Sequence, residues 1–292
     1  MRQLLLQTSM HWQTSRFKID LAVPKVMGIV NITPDSFSDG GRHASTAAAL
    51  KYCEKLLRDG ADILDIGAES SRPGALAVPL AEELARVLPL VTEAVKLGVP
   101  ISVDTYKPQV MQAALDLGVD VVNDVWALRQ PGALGVVAAH RTCGVCLMHM
   151  HREPQTMQAS PMQGDIVPQV LSFLVGAADS LRSAGVDKAR IVLDVGIGFG
   201  KTVKQNFSLL ARQQAFLAAG YPLLAAWSRK SSLTAKTAGE LPAATQAPTP
   251  AARMIPSVAA ALLAVERGAR VVRVHDVRET VRALRVWQAA TM

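Results

Sequence analysis

Four polar residues stand at or just after the ends of short apolar runs that lie far apart along the chain: Asp104, Asn123, Asp194 and Lys230. A carboxylate can accept two hydrogen bonds side by side, and an asparagine amide offers both a donor and an acceptor. Such a set suits a flat heterocycle that carries an amino group beside a ring N–H. For one Asp or Asn alone, capping of the following helix is the favoured interpretation. Together, the four favour a polar binding pocket over separate caps.

A second set of residues has the chemistry of an anion site. Arg273 and His275 lie two positions apart on an apolar run, so a strand would direct both to the same face. Arg72 lies in a polar loop and Asn31 ends the first apolar run. The forked N–H donors of an arginine guanidinium match the oxygens of a phosphate group. An Asn side-chain oxygen can bind Mg2+ together with pyrophosphate oxygens. The set predicts a pyrophosphate site, although a salt bridge at the mouth of the fold is an alternative for Arg273.

The elements that would position these residues are eight apolar runs, each of which ends on a polar residue. Continuous apolar runs of this length are typical of strands buried on both faces. Helical stretches rich in Ala, Leu, Glu and Arg separate most of them, which predicts an α/β fold, a (β/α)8 TIM barrel whose active site lies at the carboxyl ends of the strands. The runs are Val26–Asn31, Ala61–Asp65, Ile101–Asp104, Val119–Asn123, Gly144–His149, Ile191–Asp194, Leu223–Ser228 and Val271–His275.

The chain reads as one barrel domain over residues 26–292, preceded by a lead-in over residues 1–25 that we expect to form a hairpin or strand beneath the barrel. The first helix is predicted over residues 45–59, with Gly60 as its cap. Polar loops follow the first two strands at residues 33–41 and 67–74. Residues 151–168 read as irregular, and residues 235–250 read as a mobile loop.

Composition and charge limit the kinds of partner that the protein is expected to bind. The 292 residues carry a net charge of +7, but no run of five basic residues occurs and aromatic residues make up only 4%. We therefore expect a solvated basic surface with no nucleic-acid partner, and the absence of about 18 consecutive apolar residues predicts no membrane span. The cysteines Cys53, Cys143 and Cys146 suggest a reducing compartment, so we expect a cytoplasmic protein.

Three short motifs are weak evidence for the functional sites that they resemble. The run 196–202 lacks the glycine at position 195 that a phosphate-binding P-loop requires, so its glycines more simply make a tight turn or let the backbone approach a ligand. His149 and His151 lack a third metal ligand nearby in sequence, which makes zinc the less favoured interpretation. Cys143 and Cys146 run into a predicted strand, where core packing of Cys146 is favoured over redox chemistry.

The residues also resemble a known family. Residues 27–41 and 65–74 are similar to the first and second signatures of the dihydropteroate synthases, the pterin-binding enzymes of folate biosynthesis. Shorter matches follow in order at residues 102–105, 122–124, 194–201, 228–230 and 273–276. The resemblance implies a transferase, usually a homodimer, that joins 6-hydroxymethyl-7,8-dihydropterin pyrophosphate to 4-aminobenzoate and releases pyrophosphate, with Mg2+ as cofactor.

The resemblance also implies roles for individual residues. The pterin would be held by Asp104, Asn123, Met148, Asp194, Lys230 and Arg273. The pyrophosphate would be held by Asn31, Arg72, Arg273 and His275, with Asn31 on Mg2+. The 4-aminobenzoate site would be shaped by Phe37, Ser71, Arg72, Pro73, Phe199, Lys230 and Ser231. Catalysis would rest mainly on Asp104, Lys230 and Arg273.

The chain departs from the family pattern in a few places, and rival functions stay open. Ser71 replaces a usual Thr, Val195 replaces a common Pro, and residues 225–227 are bulkier than expected. The departures at residues 235–257 concern dimer packing rather than the pocket. A pterin-dependent methyltransferase would not need the pyrophosphate residues, and a non-catalytic pterin-binding paralogue should have lost some of them. Phe37 and Pro73 match the usual pattern, so we expect a sulfonamide-sensitive enzyme.

Overall fold

Eight parallel strands close into a barrel in the computed structural model, which describes residues 10–32, 41–70, 74–153, 155–237 and 251–291. The strands follow one another around the barrel in chain order, and the last strand closes it by pairing with the first. This confirms the predicted (β/α)8 architecture. The barrel strands are β3 (Lys25–Asn31), β4 (Ile63–Gly67), β5 (Ile101–Asp104), β6 (Val121–Asp124), β7 (Gly144–Met148), β8 (Ile191–Asp194), β9 (Leu223–Ala225) and β10 (Ala269–Val274).

The predicted strand ends differ from the observed ones where a local hydrogen bond competes with strand pairing. The strand predicted from Val119 begins at Val121, because Val119 N donates to Ala114 O and so completes the preceding helix. The strand predicted to reach Ser228 ends at Ala225, and a turn follows in which Lys230 N donates to Trp227 O. Such bonds involve neighbours that hydrophobic patterning does not record.

Helices follow the barrel strands and cover the outside of the barrel. The first begins four residues before its predicted start and ends at Arg58, one residue early. The stretch predicted to be irregular up to residue 168 becomes helical at Ile166, because Asp165 caps that helix by accepting from Val167 N. The helices are α1 (Gly41–Arg58), α2 (Leu80–Ala94), α3 (Pro108–Asp116), α4 (Ala133–Ala139), α5 (Ile166–Ser183), α6 (Val203–Ala211), α7 (Ser231–Thr237), α8 (Met254–Glu266) and α9 (Val277–Thr291).

A short antiparallel hairpin covers the amino-terminal end of the barrel. Its strands are β1 (His11–Gln13) and β2 (Lys18–Asp20). Trp12 is fully buried, and its Nε1 donates to Arg190 O at 2.9 Å. The hairpin packs against an apolar layer inside the barrel, to which the strands contribute Met27, Ile63, Val121, Cys146, Val192, Leu224 and Val271. The division of the chain at residue 26 stays a prediction.

The barrel interior changes from apolar to polar along its axis. Because side chains alternate along a strand, the inward-facing series that begins with Ile63 continues with Asp65, and that of Val121 continues with Asn123. Polar residues therefore occupy the carboxyl ends of the strands. All three cysteines are buried and free, and no helix within the described residues is long and apolar enough to cross a membrane.

Candidate functional site

Arg273 lies at the centre of the polar end of the barrel and joins two carboxylates. Its Nε donates to Asp65 Oδ2 at 2.5 Å, and one terminal nitrogen donates to Asp104 Oδ2 at 2.6 Å. Asn123 Nδ2 also donates to Asp65 Oδ2, at 3.1 Å. The alternative interpretation of Arg273 as a salt bridge therefore describes the observed geometry. A bound pyrophosphate would have to share the guanidinium with these carboxylates.

Asp65 was missing from the residues predicted to form the site, although it contacts two of them. It is fully buried, and its Oδ1 has no hydrogen-bond partner in the described part of the chain. The signal was present in the sequence, because the run that Asp65 ends has the same form as those that end in Asp104 and Asp194. Assigning Asp65 to the inward-facing side of the second barrel strand would have identified it.

The electrostatics of this centre reflect burial of several like charges. Burial raises the pKa of Asp104 to about 7, and the neighbouring Asp65 adds to this, while the charge of Arg273 opposes it. Burial lowers the pKa of Arg273, but Asp65 and Asp104 more than offset that effect and hold it above its ordinary value. The carboxylates together make this a region suited to developing positive charge.

Asp194 and Lys230 face the same interior from the other side of the barrel. Asp194 ends β8 opposite Met148 and accepts from Gly196 N at 2.7 Å. Burial raises the pKa of Asp194, whereas the Gly196 N–H and the charge of Lys230 lower it. Lys230 Nζ lies 4.3 Å from the centroid of the buried Phe199 ring. The predicted pterin residues thus converge, since β5 and β6 also pair Asp104 with Asn123.

A buried lysine beside this group was also missed. Lys201 is only 2% exposed, and its Nζ contacts His149 Nδ1 at 2.9 Å and donates to Gly196 O at 2.8 Å. Burial lowers the pKa of Lys201 to about 7 and that of His149 to about 2, so the imidazole stays neutral and accepts through Nδ1. The described residues contain no group of three His, Cys, Asp or Glu that could hold a metal.

The glycine-rich run after β8 makes a tight turn against the loop after β7. Gly196 has a φ of +69°, and a Cβ there would lie 1.8 Å from His149 O. At Gly200 a Cβ would lie 2.6 Å from His151 O. The glycines therefore make a tight turn, which is one of the two roles predicted for them. The turn brings Lys201 beneath the neighbouring loop.

The remaining predicted residues lie around the mouth of the barrel. Asn31 ends β3 in the inward-facing series of Met27. His275 N donates to Ser228 Oγ at 3.1 Å, and the same oxygen lies 2.9 Å from His275 Nδ1. Ser231 is exposed at the start of α7.

Several predicted contacts fall on parts of the chain that the structure does not describe. Outside the described residues lie Phe37, Ser71, Arg72 and Pro73. The greater part of the loop predicted at residues 235–250 lies outside them too, although its first three residues complete α7. The described aminobenzoate candidates are therefore Phe199, Lys230 and Ser231.

Comparisons with known proteins agree with this geometry. A family model described as pterin binding enzyme matches residues 27–275. A dihydropteroate synthase from Neisseria meningitidis serogroup C is 49% identical over 281 residues, which cover 95% of this chain and 96% of that protein.

The similarity also extends to two solved structures. Xanthomonas albilineans dihydropteroate synthase with 4-aminobenzoic acid has a TM-score of 0.88 and 47% identity, covering 97% of this chain and 98% of the other. Burkholderia cenocepacia dihydropteroate synthase complexed with 7,8-dihydropteroate has a TM-score of 0.84 and 48% identity, with 96% of both chains covered. With its polar barrel centre and these likenesses over nearly its whole length, the chain belongs to the pterin-binding enzymes and, among them, to the dihydropteroate synthases.

Proposed function

We propose that this chain condenses 6-hydroxymethyl-7,8-dihydropterin pyrophosphate with 4-aminobenzoate to give 7,8-dihydropteroate and pyrophosphate. The observation that carries the proposal is the centre of the barrel, where Arg273 contacts Asp65 and Asp104. The relatives from Xanthomonas albilineans and Burkholderia cenocepacia bind 4-aminobenzoic acid and 7,8-dihydropteroate respectively. The same ligands suit a site that combines buried carboxylates with cations at its mouth.

The pterin binds among the inward-facing polar residues. Asp194 offers a carboxylate for the amino group and adjacent ring N–H, and Asn123 offers a donor and an acceptor for the ring edge. Met148 pairs with Asp194 across β7 and β8 and packs against the ring. Asp104 lies nearest the methylene carbon, because its partner Arg273 also has to reach the pyrophosphate.

Chemistry begins with departure of the leaving group. The C–O bond of the pterin methylene breaks and its electron pair leaves with pyrophosphate, towards which Arg72, Arg273 and His275 donate hydrogen bonds. The positive charge left on the methylene–pterin system is stabilised by the ionised Asp104, because a fixed carboxylate in a buried site interacts strongly with developing charge. The nitrogen of 4-aminobenzoate then forms the C–N bond and loses a proton.

The amine is a fair nucleophile, so the protein needs mainly to position it. Phe199 and Lys230 hold the aminobenzoate beside the pterin. Lys230 Nζ lies 4.3 Å from the centroid of the Phe199 ring, so the two side chains form a wall that both subsites share. Ser231 at the start of α7 lies next to Lys230 and offers a hydroxyl. Phe37, Ser71, Arg72 and Pro73 complete this subsite in the proposal.

The donor set fits Mg2+ as a cofactor that is shared with the substrate. Asn31 provides a neutral amide oxygen, a hard donor of the kind Mg2+ takes, in the inward-facing series of β3. When bound, Mg2+ supplies positive charge to the leaving pyrophosphate. Within the described residues there is no cluster of metal-binding side chains, so Asn31 would act together with pyrophosphate oxygens.

We also propose a homodimer and a cytoplasmic location. Of the eight exposed large apolar side chains among the described residues, Ile255, Leu263 and Val286 lie on the packed helices α8 and α9. Exposed apolar side chains on two packed helices favour contact with a second copy of the chain. The cytoplasmic location is supported by three buried cysteines that form no disulfide.

The proposal is tested by measuring pyrophosphate release with Mg2+, pterin pyrophosphate and 4-aminobenzoate, for the wild type and Arg273→Ala. Release that requires both substrates and falls by about 100-fold or more in the variant supports it. Tight pterin binding without release would instead identify a non-catalytic pterin-binding paralogue. Transfer of a methyl group from a methylated pterin to an acceptor, with no pyrophosphate released, would favour a pterin-dependent methyltransferase.

A further inference from the structure

Arg229 holds an unusual backbone conformation next to a proposed catalytic lysine. It lies in the turn between β9 and α7, and its φ is +58°, one of four positive values at non-glycine positions in the described part of the chain. L-residues adopt this region rarely, and it persists where surrounding contacts hold it. The turn is closed by Lys230 N, which donates to Trp227 O at 3.2 Å. The direction in which Lys230 leaves the turn therefore depends on Arg229.

The side chain of Arg229 is bound by a carboxylate on the next barrel loop. Its Nε donates to Asp276 Oδ2 at 3.2 Å and a terminal nitrogen donates to Asp276 Oδ1 at 2.6 Å. Two parallel bonds of this kind restrict orientation as well as distance. Asp276 is itself held at the start of α9, where its backbone oxygen accepts from Thr280 Oγ1 at 2.8 Å.

The backbone of Arg229 is bound by Arg253, which directly precedes α8, and by Ser257 in the first turn of that helix. Arg229 N donates to Ser257 Oγ at 2.8 Å, and Arg253 donates to Arg229 O at 3.3 Å. Ser257 Oγ in turn donates to Arg253 O at 2.6 Å. The amide, the carbonyl and the side chain of Arg229 thus each have a partner, which explains how the left-handed conformation is maintained.

The residue before Arg229 is linked to the same loop. Ser228 Oγ contacts both the backbone and the ring of His275, so two adjacent pairs, Ser228–His275 and Arg229–Asp276, join the loop after β9 to the loop after β10. These two loops carry Lys230 and the proposed pyrophosphate ligand His275. Their relative position is decided by this double connection.

We propose that Arg229 and Asp276 are positioning residues, whose ion pair holds the turn so that Lys230 Nζ lies over Phe199 in the substrate site. Neither residue needs to touch substrate. The inference rests on the proposed function, because it assumes that Lys230 contacts the pterin and aminobenzoate portions of the ligand. It predicts that the effect of removing Asp276 depends on the presence of the Lys230 side chain.

A double-mutant cycle tests this dependence with a readout that does not require turnover. Binding of 7,8-dihydropteroate is titrated for the wild type, Asp276→Ala, Lys230→Met and the double variant. We expect Asp276→Ala to weaken binding about tenfold in the wild-type background and less than twofold in the Lys230→Met background, because residues acting through one contact are not additive. A similar loss in both backgrounds would show a general structural role and overturn the proposal.

Three further variants complete the test. Arg229→Gly can adopt a positive φ without strain but lacks the guanidinium, so binding that equals the wild type would also overturn the proposal. Asp276→Asn replaces Asp276→Ala if the latter does not fold. Arg278→Ala removes a neighbouring Arg–Asp pair on the outer surface, with Asp59, and should leave binding unchanged. Failure of the wild type to bind would instead overturn the proposed function, and this inference with it.

Discussion

Arg273 decides the charge balance at the centre of the barrel. It contacts Asp65, which is fully buried, and Asp104, whose pKa burial raises to about 7. Breaking a buried pair leaves the partner charge without compensation, which costs more than the pair itself contributes. The same residue must serve pyrophosphate in the proposed reaction. Stability and catalysis therefore both depend on one guanidinium.

Replacing Arg273 by Met should lower the free energy of unfolding by about 3 kcal/mol at pH 8 and by less at pH 5. Without the guanidinium, the pKa of Asp104 in the folded state rises further above its unfolded value. The folded state then binds more protons than the unfolded state between about pH 4 and that raised pKa, so stability is lost as pH rises. Urea unfolding at the two pH values measures this. Arg278→Met is the control, because it removes an exposed arginine that pairs with Asp59. An equal loss for Arg273→Met at both pH values would contradict the explanation.

Asp104 predicts a pH dependence of turnover. Its raised pKa of about 7 means that kcat/KM of the wild type should fall as pH decreases below 7, because protonation removes the charge that stabilises the methylene cation. Asp104→Asn should lower kcat/KM about 100-fold and flatten this acidic limb. The profile is measured by pyrophosphate release from pH 5.5 to 8.5. Full turnover in Asp104→Asn would rule out this role for the carboxylate.

At the scale of elements, the loops that follow the barrel strands contact and support one another. The glycine-rich turn after β8 presses against the loop after β7, where Gly196 leaves no room for a side chain. Lys201 then donates to Gly196 O and contacts His149. These contacts place Phe199 and Asp194 on a common rigid segment. A site built on such supported loops keeps its geometry before substrate arrives.

Two glycine substitutions separate the close approach from the backbone conformation. Gly196→Ala would place Cβ 1.8 Å from His149 O and should lower the free energy of unfolding by more than about 3 kcal/mol and weaken pterin binding. Gly185→Ala also meets a positive φ, of +87°, but has nothing within 4 Å. It should cost only about 1 kcal/mol, the strain of the left-handed conformation. Urea unfolding compares the two, and similar losses would mean that the contact with His149 O does not matter.

At the scale of the whole molecule, the face of the barrel proposed for chemistry and the side proposed for association are distinct. The hairpin closes the amino-terminal end through the buried Trp12, which leaves the carboxyl ends of the strands for substrate. Ile255 and Val286 are 73% and 71% exposed on the packed helices α8 and α9. Arg253 and Ser257 at the start of α8 also hold Arg229. The side proposed for association therefore adjoins the catalytic loops.

Association predicts a mass of twice 31.1 kDa in light scattering coupled to size-exclusion chromatography. The double variant Ile255→Glu with Leu263→Glu should be monomeric, because two charges buried in an apolar contact are not compensated. Leu117→Glu introduces a charge at an apolar residue that is also exposed, but after α3. This control should remain a dimer. A monomeric wild type would refute the proposed assembly.

The sequence by itself determined the fold class and the greater part of the pocket. Eight apolar runs that end in polar residues favour a parallel barrel, and alternation along the strands directs Asp104, Asn123 and Asp194 inwards. These are local properties, because they depend on the identity of each residue and its immediate neighbours. Hairpin residues such as Trp12 were likewise expected beneath the barrel. Strand ends were less accurate where a single bond, such as Val119 N to Ala114 O, decided them.

Only the tertiary structure decided which charges pair. Arg273 lies 208 residues from Asp65 along the chain, and Arg229 lies 47 residues from Asp276. Lys201 reads as part of a glycine-rich loop in the sequence, yet it is buried against His149. Barrel closure brings residues from distant strands within hydrogen-bond distance, and the burial that follows changes their pKa values. Such pairings depend on distances across the barrel, which hydrophobic periodicity along one strand does not encode.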